Sequence, residues 1–233
     1  RITVPAGGTK PDPNNPSVPL QYSGVDPRVT VTGPADVYIL KDQTRGQGIA
    51  TYDMNGVGGL PISVPSIQSQ ALAFVDKDNI WKDEVAPATL EDLIRGATHD
   101  GSNGVKDANN DDIAIDAHWG GEMVYDYWNK RHNRASYDNK NATINSFIHY
   151  GPAYDNAFWN GSTMTYGDGS GTTNPAGGFR PLTSLDVCGH EIGHGVCSNT
   201  SDLVYQGESG GMNEALSDIW AYAIEHFVND SVD

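Results

Sequence analysis

Residues 183–220 read TSLDVCGHEIGHGVCSNTSDLVYQGESGGMNEALSDIW, and the fold is decided there. Within the stretch, His190-Glu191-Ile192-Gly193-His194 sets two imidazoles four positions apart. On a helix those positions lie one turn apart on the same face, so both rings can reach one ion. Glu191 sits beside the first His and can face a metal-bound water without being a ligand itself. The spacing is one that holds zinc, with the Glu as general base. A catalytic zinc needs a third protein ligand and an open fourth position. Glu214 follows His194 by twenty positions, inside the next apolar-periodic segment. A helix, a Gly-bearing turn over Gln206–Gly211 and a returning helix can bring it back to the ion. Asp218 is one turn beyond Glu214 on the same face, where it can accept the free ring N–H of a ligand His. Alone, Glu214 and Asp218 read as exposed helix carboxylates; beside the two His they read as a ligand and its support.

Working outward, Thr183 to about Asn199 reads as a helix, with Thr183 or Ser184 as N-cap and Asp186 in its first turn. Gly193 and Gly195 count against it by about 1 kcal/mol each relative to Ala. A following helix runs from about Gly211 to Phe227. Upstream, apolar Ala117, Val124, Tyr127 and Trp128 predict a helix from Ile113 to about Arg131. Residues 25–81 carry short β-type runs split by Gly and Pro, such as VTVTG, VYIL, GIATYD and ALAF, which suggest hairpins. Residues 143–182 return to strand and loop with TINSFIHY, AFWNG and STMTYGDG. Residues 1–24 are rich in Pro, Gly and Asn and read as an extended arm or linker. In the polar loop 99–112, Asp107, Asn109 and Asp111 alternate like the first half of a calcium loop. The sharp-turn Gly and the closing Glu are missing, so an exposed Asx-rich turn is expected. The fold class is therefore α+β: a β-rich N-terminal lobe with one long helix, then two helices that carry the metal ligands.

The 233 residues suffice for one large domain or two lobes. There are 30 acidic and 14 basic residues, a formal charge of -16, which argues against nucleic acid or an anionic membrane as partner. No apolar run approaches the ~18 residues of a membrane-spanning helix. After Arg180 there is no Lys or Arg, while nine carboxylates follow. Bound cations would offset that self-repulsion; a solvated acidic face is the other reading. Arg1 in place of an initiator Met suggests a processed or trimmed product. Cys188 and Cys197 on one continuous helix would lie on opposite faces, about 13 Å apart along the axis. An unbroken helix forbids a disulfide between them. They are either free and packed as small apolar residues or paired with cysteines of a missing part, and the free, buried state is the expectation. The remaining His residues (His99, His118, His132, His149, His226) lack paired spacing and read as structural.

HEIGH followed by GGMNEALSDIW resembles the thermolysin family of zinc endopeptidases. The likeness extends through YILKDQTRGQGIATYD (38–53), DAHWGGEMVYDYWNKRHNRASYD (116–138), YDNAFWNGSTMTYGDG (154–169) and LVYQGES (203–209). It covers about residues 36–228. The resemblance implies zinc on His190, His194 and Glu214, Glu191 as general base and Asp218 orienting His190. It also implies that Tyr205 stabilises the tetrahedral intermediate and that Asn156 and Ala157 form the edge pairing with the substrate backbone. Phe179, Leu182 and Val187 would wall an apolar pocket for the side chain after the scissile bond. Asp186 and Glu225 would be calcium ligands.

The lobes would then be 25–206 and the start of a helical lobe at 207–233. In the family that second lobe is far larger and carries a His that binds the developing oxyanion and an Arg near the substrate. Losing one oxyanion donor costs about 10²–10³ in rate. A chain stopping at Asp233 is thus expected to be weak alone, or to work with a separate C-terminal fragment of the same protein. The expected function is a secreted, calcium-stabilised zinc endopeptidase acting on polypeptides. The alternatives are a zinc aminopeptidase, for which no amine-holding acidic motif is identified, and a metal-bound fragment that binds peptide without turnover.

Overall fold

The computed structural model describes residues 38–58, 71–76, 112–170, 178–179 and 181–230. The arm at 1–24, the VTVTG run and the polar loop up to residue 111 lie outside the described residues. Eight strands and three helices are seen among those described. The strands are β1 (Tyr38–Ile39), β2 (Lys41–Asp42), β3 (Ile49–Asp53), β4 (Leu72–Ala73), β5 (Val75–Asp76), β6 (Ile144–Ile148), β7 (Ala157–Trp159) and β8 (Met164–Tyr166). The helices are α1 (Asp112–His132), α2 (Leu185–Ser198) and α3 (Gly207–Asp230).

Strand β3 is central. It pairs antiparallel with β2 and β4 and parallel with β6, with Ile49 opposite Ile144 and Asp53 opposite Ile148. A strand with neighbours on both edges and a helix across its face should be apolar at nearly every position. IATYD is buried at all but Tyr52, yet two of its buried positions, Thr51 and Asp53, are polar. The hairpins expected from short runs are therefore only part of the sheet. The β3–β6 pairing is parallel, which needs a long crossover, and α1 lies within that connection. The order β2-β3-β6-β8-β7 leaves β7 at an edge.

Helix α1 covers the expected span. Its first half is buried on every side, from Ile113 through Glu122, and its last turn carries Lys130, Arg131 and His132 into solvent. Ser184 is the N-cap residue of α2, but its hydroxyl turns to Asp186 and not to a backbone N–H. Gly193 in α2 has a packing reason that outweighs its helix cost. A Cβ there would stand 3.2 Å from Ser217 Cα and 3.2 Å from Trp220 Cε3, so the glycine sets how closely α3 can approach. Helix α3 begins four residues before the expected Gly211. The Gly-rich segment read as a turn is its first turn, where the single proton of the Ser209 hydroxyl is shared between the carbonyls of Val204 and Gln206. Its buried face repeats at Asn213, Ser217, Ala221, Ile224 and Val228, the period of a helix lying on one neighbour. Cys188 and Cys197 are free and buried, as expected; the Tyr166 hydroxyl donates to Cys188 Sγ at 3.1 Å.

Candidate metal centre

Helix α2 supplies His190, Glu191 and His194, and α3 supplies Glu214 and Asp218 across the close crossing at Gly193. His190 Nδ1 lies 2.7 Å from Asp218 Oδ1, and His194 Nδ1 lies 2.7 Å from Asn213 Oδ1. The Asn213 amide is oriented by its own Nδ2, which donates to the Leu203 carbonyl at 3.3 Å. A carboxylate and an amide oxygen only accept, so both rings hold their proton at Nδ1 and present a bare Nε2. The two Nε2 atoms are 3.1 Å apart. Glu214 Oε2 is 3.0 Å from the first and 3.8 Å from the second.

Two lone pairs and a carboxylate oxygen aimed at one point repel each other unless a cation stands between them. These three side chains are the His/Cys/Asp/Glu group, among the described residues, whose ligand atoms all lie within 4.8 Å of one another. Two neutral imidazoles and one carboxylate are a donor set of catalytic zinc sites, with a position left for water or substrate. The residues fit a zinc ion.

Glu191 is mostly buried beside this point. Its Oε2 accepts the Trp159 backbone N–H at 3.0 Å and lies 3.9 Å from His194 Nε2. Burial pushes its carboxyl above the usual range; its electrostatic interactions with His190 and His194 and the Trp159 N–H oppose that shift, and Glu214 adds to it. Trp159 belongs to β7, so one N–H of the sheet edge is committed to holding Glu191. Alternation along an antiparallel pair turns the Ala157 N–H and C=O to the same outer side as that N–H.

Two cavities meet at this edge. One, of about 610 Å³, is lined by Asn156, Ala157, Trp159, both His, Glu191, Tyr205 and Glu214. Tyr205 is 66% exposed, with its ring edge-on to His194 at 5.7 Å between centroids. The other, of about 390 Å³, is lined by Ala157, Leu182, Val187, Ala221 and Tyr222 and equally by His190 and the carboxylates of Asp186, Glu191, Asp218 and Glu225. Burial and then the Asp186 charge raise the Glu225 carboxyl above its usual value. Phe179 is 60% exposed and is not brought to either lining.

Three contributors escape the sequence reading: the Asn213 amide, the Ser217 hydroxyl 3.3 Å from His194 Nδ1, and the Trp159 N–H. A signal for the first two exists, since Asn213-Glu214 and Ser217-Asp218 repeat one helical turn apart. Asn213→Ala should weaken zinc binding about 10–100-fold in a competition titration against a chelator. Unchanged affinity would mean the amide does not set the His194 ring.

The chain matches the model described as thermolysin metallopeptidase, catalytic domain, over residues 20–198, and the one described as thermolysin metallopeptidase, alpha-helical domain, over 201–233. The chain belongs to the thermolysin family. Among curated relatives it is 40% identical over 196 residues to a bacillolysin of Brevibacillus brevis. It is 41% identical over 197 residues to a thermolysin of Alicyclobacillus acidocaldarius subsp. acidocaldarius. Both alignments cover 84% of this chain and 29% of the relative, so the chain spans under a third of the length of these proteins. Among solved structures, the precursor of protealysin, a metalloproteinase from Serratia proteamaculans, superposes with a TM-score of 0.52 at 26% identity, over 78% of this chain and 44% of that one.

Proposed function

We propose that this chain carries the metal centre of a secreted zinc endopeptidase that favours an apolar residue after the scissile bond. The observation that supports the reading best is the convergence of His190 Nε2, His194 Nε2 and Glu214 Oε2 beside a buried Glu191 and an open sheet edge. A zinc ion held by these residues would lower the pKa of a coordinated water toward ~7 and polarise a carbonyl.

The chain's own groups do the rest. Asp218 and Asn213 fix both rings with Nε2 inward. Glu191 Oε2 is held by the Trp159 N–H, leaving Oε1 to accept a proton and later return it to the departing amine. An extended polypeptide adds a strand beside β7 and pairs with the Ala157 N–H and C=O, next to Asn156. Leu182 and Val187 line the wall met by the following side chain; Phe179 is assigned to that wall on the family resemblance. The Tyr205 hydroxyl, presented next to His194, donates to the developing oxyanion. Asp186 and Glu225 are the calcium ligands of this reading, since a cation between them would offset the repulsion by which Asp186 adds to the raised Glu225 carboxyl. Residues 25–206 and 207–233 form the N-terminal lobe and the opening of a helical one, and a C-terminal fragment of the same protein is a partner.

The test combines elemental zinc analysis with cleavage of a peptide blocked at its N-terminus, by this chain alone and with the helical remainder supplied. Stoichiometric zinc and internal cleavage are expected. Cleavage only of unblocked peptides would replace the reading by an aminopeptidase, and folded protein without zinc would remove the ligand assignment.

A further inference from the structure

Asp155 immediately precedes the Asn156-Ala157 edge and is exposed to solvent, yet its carboxylate gathers three donors. Oδ1 accepts the Ser170 N–H at 2.6 Å and the Phe179 N–H at 3.1 Å, and Oδ2 accepts the Ser170 hydroxyl at 2.6 Å. These donors stand at two separate points of the chain, and both points lie on the path from β8 to α2. The same neighbourhood is tied by backbone bonds. Gly167 N donates to Asn156 O at 3.0 Å, Gly169 N to Tyr154 O at 3.1 Å, and Leu182 N to Gly167 O at 3.2 Å. Ala157 and Leu182 both line the 390 Å³ cavity. One wall is two residues from Asp155 in sequence; the other hangs from the segment that Asp155 holds at Ser170 and Phe179.

We infer that Asp155 is a positioning residue for side-chain selectivity, tying the Leu182 part of the 390 Å³ cavity's lining to the Ala157 edge; this rests on the endopeptidase reading above. Asp155 touches no reacting atom. It acts by fixing the separation of two walls that must both contact the bound side chain. Charge-assisted bonds to backbone N–H groups are the stronger kind, so an exposed carboxylate can hold such a spacing. The hydroxyl of Ser170 and then its N–H hold the Asp155 carboxyl below the usual carboxylate range, in keeping with an ionised acceptor at neutral pH. A loop clasp that served stability alone would leave discrimination between side chains unchanged.

The experiment uses the zinc-loaded full chain in a Glu191→Gln background, so binding is read without turnover. Two blocked peptides differ only in Leu or Ala at the residue after the scissile position. Discrimination by a snug apolar pocket is about 10–200-fold. Asp155→Ala is expected to reduce the Leu/Ala affinity ratio by about tenfold, with zinc content unchanged. Hydrogen exchange at the Ser170 and Phe179 amides should speed up in the same variant. Asp155→Asn keeps an oxygen for both N–H groups and can donate to the Ser170 hydroxyl, so it should hold the ratio within about threefold of the parent. A parent-like ratio in Asp155→Ala overturns the inference, and so does an Asp155→Asn ratio as low as that of Asp155→Ala. If the parent binds neither peptide, the endopeptidase reading fails first and this assignment falls with it.

Discussion

Glu191→Gln is expected to lower kcat for a blocked peptide by about 10²–10⁴-fold, while zinc content stays at the wild-type level. The substitution conserves size, and the amide oxygen can still accept the Trp159 N–H that now bonds Glu191 Oε2 at 3.0 Å. The proposed zinc set of His190, His194 and Glu214 is untouched. What disappears is the atom able to take and return a proton. Because the loss falls on the chemical step, KM should change far less than kcat. His190→Ala is the contrasting control: it removes a ligand, so zinc and activity should vanish together. Residual activity within tenfold of wild type in Glu191→Gln would show that proton transfer runs through another group, and the role given to Glu191 would be withdrawn.

Such a site was partly legible because helix geometry does the work. Once His190 and His194 share a face, only a returning element can close the set, and Glu214 with Asp218 one turn later matches a helix passing at that height. The β-type runs at GIATYD, TINSFIHY, AFWNG and STMTYGDG were legible for a similar local reason, and β3, β6, β7 and β8 lie within them. The α+β class and the thermolysin family follow from these pieces.

What could not be read depends on contacts between distant segments. Strand β3 lies parallel to β6 with Ile49 opposite Ile144, and no local pattern announces that pairing. The early start of α3 was hidden because Gly210 and Gly211 argue for a turn, while the Ser209 hydroxyl bonds that offset them show only in three dimensions. Asn213 is a poor helix former by itself, and its use appears only when the α2–α3 crossing at Gly193 places it over His194. The apolar wall read at Phe179, Leu182 and Val187 is split: the last two line the cavity and Phe179 points to solvent.

Arg45→Ala is expected to cost about 3–5 kcal/mol of folding stability at neutral pH, through charges left buried without their partner. One guanidinium here serves three carboxylates from two elements. It bonds Asp42 at 2.8 Å and Asp126 at 2.9 Å, and lies 3.5 Å from Glu122; the Asp42 and Glu122 side chains have no solvent exposure. Asp42 sits on β2, and Glu122 and Asp126 sit on α1, so the group ties the β2–β3 turn to the helix that crosses the sheet. Burial alone would lower the Arg45 pKa, but Glu122 and the Asp126 and Asp42 bonds outweigh it and raise the value. Burial would likewise raise the Asp126 carboxyl, yet the Arg45 and Lys130 bonds hold it below the usual range. A carboxyl depressed in the folded state stabilises above its unfolded pKa, and that contribution fades as pH falls through the folded value. Wild-type stability should therefore decline on acidification below about pH 4. In Arg45→Ala the neighbouring carboxylates lose this counter-charge, so their repulsion is full at neutral pH and is relieved as they take up protons. The difference between the two proteins should accordingly narrow from pH 7 toward pH 4 in denaturant titrations. Arg45→Lys keeps the charge without the planar fork, so its loss should fall between the two. A variant Arg45→Ala within about 1 kcal/mol of wild type at pH 7, with no narrowing in acid, would mean that the buried carboxylates are carried by other partners and that this guanidinium is dispensable to the fold.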